Sequence, residues 1–196
     1  MANILKETVR GLEKVSIEDE MLKNREIFLV GEVNAESSNE LIKKLMYLEQ
    51  EDRESAVTIY INSPGGEVVS GLAVYDYIRL MEAPVDTVCI GTAASMGAIL
   101  FLAGRERKML RHTRLMIHDP SYGGGELKGK KPHEIRQELD NLNSVKRTLV
   151  GIISERTGKS IKEINRVTAK DTYYSAEEAV RFGLATKIVT DRRELA

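Results

Sequence analysis

Apolar and polar positions along the chain switch between two periods, and the switches mark the elements. Residues 27–33, IFLVGEV, form a short apolar run that reads as a buried strand. Residues 35–50 change period, with Leu41, Leu45 and Leu48 recurring on one helical face. Residues 56–61, AVTIYI, return to a β-branched run and stop at Asn62-Ser63-Pro64-Gly65-Gly66, a strong turn signal. A helix carrying Leu72, Tyr75, Ile78 and Met81 is predicted next, then a strand over 85–90. GTAASMGAIL, residues 91–100, begins where that strand ends. Short strands are predicted over 108–110 and 114–117, the second running out at His118.

A polar, glycine-rich loop over 121–131 leads into the longest helical stretch, 132–157, with Ile135, Leu139, Leu142, Val145, Leu149 and Ile152 or Ile153 in step. Gly158 suits its C-terminal cap. SIKE from Ser160 and SAEE from Ser175 both fit the capping box, Gly183 closes the last helix, and LATKIV reads as a final strand. Strands alternating with helices predict an α/β domain with largely parallel strands. The first 25 residues are charged and weakly patterned and read as an N-terminal arm. Residues 26–196 show no repeat and no Pro-rich or Ser-rich linker, and read as a single domain.

Composition narrows the partners. A net charge of -1 gives no electrostatic reason to expect nucleic acid or an anionic membrane. The longest apolar run, AASMGAILFLAG, is too short to span a bilayer and is broken by glycine. The opening residues carry acids throughout and no apolar block, so they do not read as a secretory signal. Cys89 is the only cysteine and lies in the apolar stretch VCIG, which reads as a buried free thiol and fits a reducing, cytoplasmic setting.

Three segments carry candidate chemistry. Ser95 stands at the predicted entry to a helix, where first-turn N–H groups lack internal partners and favour negative charge. A serine there can attack a carbonyl while neighbouring N–H groups receive the oxyanion. It can equally be a plain N-cap, and Ala93, Ala94, Gly97 and Ala98 can equally mark tight packing. Ser63-Pro64-Gly65-Gly66 either exposes backbone N–H groups to a ligand or is an ordinary turn. No GxGxxG or P-loop pattern is present, so no nucleotide site is expected. His118 lies where an apolar strand ends, the place where α/β sheets display functional groups, although a lone histidine is commonly structural. Asp171, taken alone, is a loop carboxylate before a capped helix. Together these segments supply the nucleophile, base, orienting carboxylate and donor loop of Ser-His-Asp acyl transfer. Three scattered histidines and one cysteine give no zinc-ligand spacing, and no metal or other cofactor is expected.

YINSPGG, AASMGA, MIH followed by Pro120, ERTG and KD…SAEEA…GL occur in one order over residues 24–189. With these motifs the chain resembles the proteolytic subunit of the Clp protease, a self-compartmentalised serine peptidase. The resemblance implies Ser95 as nucleophile, His118 as general base and Asp171 as the residue orienting the histidine, with Gly66 and Met96 supplying oxyanion N–H groups. It implies a crotonase-like spiral of βαβ units with a projecting handle helix near 132–157. It also implies heptameric rings stacked in pairs, peptide substrates, and an AAA+ unfoldase that feeds unfolded protein from outside.

The chain departs from the family pattern at particular places. VSIEDEMLKNRE stands where members carry a YDIYSRLLKDR-like helix. His118-Asp119-Pro120 replaces His-Gln-Pro, which adds a carboxylate beside the base. Residues 123–131 replace the segment that pairs the rings, and Ala169-Lys170 replaces an Asp-Arg pair linking them. These departures motivate one alternative, a scaffold or regulatory subunit that is inactive without a paralogous ring. A crotonase-type acyl-CoA enzyme is a further alternative that shares the fold.

Overall fold

The most apolar strands sit in the middle of the sheet, because parallel strands are covered on both faces. The computed structural model describes residues 2–9, 11–122 and 129–195. In it, β3 (Glu26–Val33), β4 (Val57–Gly66), β5 (Val85–Ala94), β6 (Arg107–Leu110) and β9 (Lys187–Val189) lie side by side, all parallel. The sheet branches at β5. Its first half, Thr87 to Cys89, pairs with β6, while Thr92 to Ala94 pairs in parallel with β7 (Arg114–Ile117). β7 then pairs antiparallel with β8 (Thr172–Ser175).

Helices connect the strands as the periodicity predicts. α2 (Ala35–Glu51) buries Leu41, Leu45 and Leu48, and α3 (Val68–Leu80) buries Val74, Tyr75 and Ile78. α4 (Met96–Ala103) is buried at every position, which suits its uniformly apolar sequence MGAILFLA. α6 (Ile161–Thr168) and α7 (Ala176–Phe182) complete the chain before β9. At α7 the Ser175 and Glu178 side chains exchange both bonds of a capping box, whereas at α6 Ser160 accepts from the Glu163 N–H. α2 has a capping box that the usual pattern misses, since Ser37 stands at the position normally held by Glu or Gln beside Asn34.

The 26-residue α5 (Pro132–Thr157) reaches the core only through its second half, where Leu149, Val150 and Ile153 are buried. Leu139, in step with them, is 54% exposed, so the first half of the helix projects. Gly158 caps it in the left-handed conformation with φ 71°. Arg156 fixes its lower end. The guanidinium donates to the carbonyls of Leu102 and Gly104, which α4 leaves without helical partners.

The opening residues, expected as a weakly patterned arm, form a hairpin of β1 (Asn3–Thr8) and β2 (Gly11–Ser16), then α1 (Ile17–Lys23). Most of β2 is exposed, and an element that buries neither face carries no period-2 apolar code. Of the segment resembling the ring-pairing strand, residues 123–128 lie outside the described residues. Beyond them Lys130 pairs with Glu138, and the Lys131 N–H donates to Glu134.

Replacing Arg156 by methionine removes both bonds to the end of α4 and strands two carbonyls. A loss of about 2 kcal/mol in unfolding free energy is expected, read as a lowered denaturant midpoint. An unchanged midpoint would show that solvent satisfies these carbonyls equally well.

Candidate active site

Strand register assembles the site before any side chain is considered. Ala94 stands beside Met116 in the parallel β5–β7 ladder, so Ser95, the first residue past β5, comes level with Ile117, the last residue of β7. Ile117 faces Thr172 in the antiparallel β7–β8 ladder, so His118 and Asp171 follow as the next pair. Ser63 stands beside Ala93 across β4–β5, which brings Gly65 to the level of Ser95.

Ser95 joins β5 to α4 with φ 53° and ψ -122°, a strained conformation for a residue with a side chain. Its N–H donates to Met116 O, and its carbonyl accepts from Ala98 and Ile99. It occupies the N-cap position of α4, yet its hydroxyl makes no capping bond. Instead Oγ lies 2.9 Å from His118 Nε2. His118 Nδ1 lies 3.0 Å from Asp171 Oδ1. A proton on Nδ1 satisfies both contacts: Nδ1–H donates to the carboxylate, and Nε2 accepts from the hydroxyl. The His118 side chain is 26% exposed and that of Asp171 is 60% exposed, so the carboxylate works largely in solvent.

The SPGG turn is held against Ser95 by contact. A Cβ on Gly65 would stand 2.7 Å from both Ala94 O and Ser95 Cβ and 2.9 Å from Met96 N. Gly65 also has φ 99°, which favours glycine. Ser63 is fully buried. Its hydroxyl donates to Gly31 O and accepts from the Gly65 N–H, which fixes the turn. A Cβ on Gly97 would meet Ser63 O at 3.0 Å, so the small residues around Ser95 also serve close packing. Met96 opens α4 with its side chain 1% exposed, and its N–H belongs to the helix's first turn. Gly66 pairs with Val33 at the end of β4.

Several residues are placed in ways the sequence left undetermined. Asp119 does not turn toward the base. Its carboxylate pairs with Lys146 on α5, and its N–H donates to Thr168 O. This ties the residue after His118 to both α5 and α6. Lys170 forms no ion pair among the described residues, and its carbonyl accepts from Thr172 Oγ1. His112 and His133 are exposed, away from the site. Cys89 is buried in β5, and burial pushes its thiol pKa up, which keeps it neutral. Among the described residues no cluster of His, Cys, Asp or Glu could hold a metal ion, and no helix is long and apolar enough to cross a membrane.

The hydroxyl and imidazole open into a cleft of about 550 Å³ that also touches Glu32, Pro64, Gly66 and Glu67. Beside it a narrow depression is lined by Val68, Met96, Ile99, Ile117, Leu149 and Ile153. The arrangement can activate a hydroxyl against a carbonyl held in the cleft. A family model described as Clp protease matches residues 9–192. The parallel sheet with its crossing helices is the crotonase-like α/β fold of that family.

Three substitutions test the placement. Gly65→Ala forces a Cβ into the Ser95 turn and should lower turnover about a hundredfold or more by displacing the hydroxyl, while leaving the sheet folded by circular dichroism. Gly66→Ala is a harsher change, since its Cβ would lie 2.2 Å from Val33 O, and should cost stability as well as turnover. Lys146→Met frees Asp119 and should reduce turnover several-fold, with Lys146→Arg restoring most of it. Wild-type kinetics in Gly65→Ala or Lys146→Met would show that the respective contact does not set the geometry.

Proposed function

This chain belongs to the Clp protease family, and from that premise we propose that it hydrolyses peptide bonds by serine catalysis at Ser95. The observation that carries the proposal is the continuous path from Ser95 Oγ through His118 to Asp171, at 2.9 and 3.0 Å. His118 Nε2 takes the hydroxyl proton as Oγ attacks the scissile carbonyl. Asp171 holds the tautomer and stabilises the imidazolium. The N–H groups of Gly66 and Met96 are assigned to the oxyanion. Collapse of the tetrahedral adduct breaks the C–N bond, and the imidazolium returns its proton to the leaving amine. Water then repeats the cycle on the acyl-serine, releasing a carboxylic acid and restoring the hydroxyl.

Substrates are unfolded segments, since an extended backbone is needed to place a carbonyl between Ser95 and the donor loop. Family membership implies ring assembly and work with Clp ATPases. We assign this chain to paired heptameric rings fed by an AAA+ unfoldase. The hydrogen-bonded spacing within one chain supports competence of the chain itself, and nothing at the site favours a scaffold role or acyl-CoA chemistry.

Ser95→Ala should lower kcat/KM for peptides by roughly 10⁴-fold or more, because triad members act as a unit. It should also abolish labelling by serine-directed acylating probes. Asp171→Asn should retain more activity, a loss of about a hundredfold. Its exposure to solvent makes the charge worth less than a buried one. Near-normal hydrolysis by Ser95→Ala would remove it as the nucleophile.

A further inference from the structure

The cleft that holds Ser95 and His118 has two carboxylates in its wall, Glu32 near the end of β3 and Glu67 between β4 and α3. Both are exposed. They flank Gly66 from two directions. Glu67 follows it in the chain, and a Cβ placed on Gly66 would lie 2.9 Å from Glu32 Cγ. The other described lining residues, Pro64, Val68, Met116, Pro120 and Ser121, carry no charge. Among the described residues neither glutamate forms an ion pair. Glu67 Oε2 accepts from Ser70 Oγ at 2.6 Å, which fixes its direction without neutralising it.

Helix electrostatics explain part of this. An acid before the first turn of α3 is favourable there, although the Glu67 side chain makes no capping bond. Glu32 has no such role. It is the penultimate residue of β3 and lines the cleft. Two like charges beside the donor assigned to the oxyanion oppose the negative charge that develops in the reaction, and a cleft lined by one sign of charge focuses that field. The penalty vanishes when the substrate brings a cation to the same wall.

We propose that Glu32 and Glu67 are specificity-determining residues that select peptide segments carrying lysine or arginine next to the scissile bond and disfavour acidic segments. The proposal rests on the peptidase reading above and names its substrate class. A basic side chain next to the scissile bond neutralises the acidic wall.

The test uses two matched sets of internally quenched peptides, with an apolar residue at the cleaved position and Lys, Gln or Glu at the adjoining position on the acyl or the leaving-group side. In at least one set kcat/KM should fall about tenfold from Lys to Gln and again from Gln to Glu at low salt. The spread should narrow at high salt. The double variant Glu32→Gln, Glu67→Gln should bring the three peptides close to parity, and the double variant Glu32→Lys, Glu67→Lys should reverse the order. Equal turnover of all three peptides in both sets, or an order that survives in the double variant, overturns the proposal. The same peptides are titrated against Ser95→Ala by fluorescence anisotropy. If no peptide is hydrolysed by the wild type, the peptidase reading fails, and the binding order alone then decides the acidic wall: Lys over Glu keeps it, parity removes it.

Discussion

The register of three short strand segments is the constraint on which the site depends. β5 has ten residues and spends its first half on β6, leaving its last residues to β7. Without that branch Ser95 and His118 would emerge on different levels of the sheet. The antiparallel return of β8 then delivers Asp171 to the far side of the imidazole. A slip by one residue would reverse which face each side chain occupies. The ladder is therefore specified by the core beneath it, through Leu115 and Ile117 of β7 and the fully buried α4.

Around Ser95, close packing and the aim of the hydroxyl are one arrangement. The serine sits where a cap belongs and leaves capping undone, because its hydroxyl is committed to His118. Its strained backbone is held by the Met116 carbonyl on one side and Gly65 on the other. Small residues allow that closeness, and the closeness aims the hydroxyl. Farther from the reacting atoms the control is electrostatic. The Asp119–Lys146 pair links the strand end bearing His118 to the projecting α5, so the position of that helix bears on the imidazole. Asp171, by contrast, is tied mainly by its bond to His118 and stands open to solvent.

Much of this was legible in the sequence, for identifiable reasons. Buried parallel strands and amphipathic helices write strong periods, so AVTIYI, VDTVCI and the leucines of α2 announced their elements. Ser95 and His118 each stand at the end of a patterned segment, Asp171 stands in a loop before a capped helix, and the motifs of all three occur in family order. The contacts of Asp119 were not legible, because Lys146 lies 27 positions away and joins it only through the packing of α5. Nor was the hairpin, whose exposed strands bury too little to leave a pattern. Glu32 and Glu67 look like ordinary surface acids until β3 and β4 are set in register with Val33 beside Gly66. The local code ends where two distant segments have to meet.

Cys89 has a use unrelated to catalysis. It is fully buried in β5, flanked by Ile61 of β4 and Met109 of β6, on the strand that leads to Ser95. A reagent can reach that thiol only when the centre of the sheet opens. With no other cysteine in the chain, the rate of its alkylation is a single-site clock for opening of the strand that leads to Ser95. The chain thus holds its own gauge of how firmly the sheet grips Ser95, readable by mass.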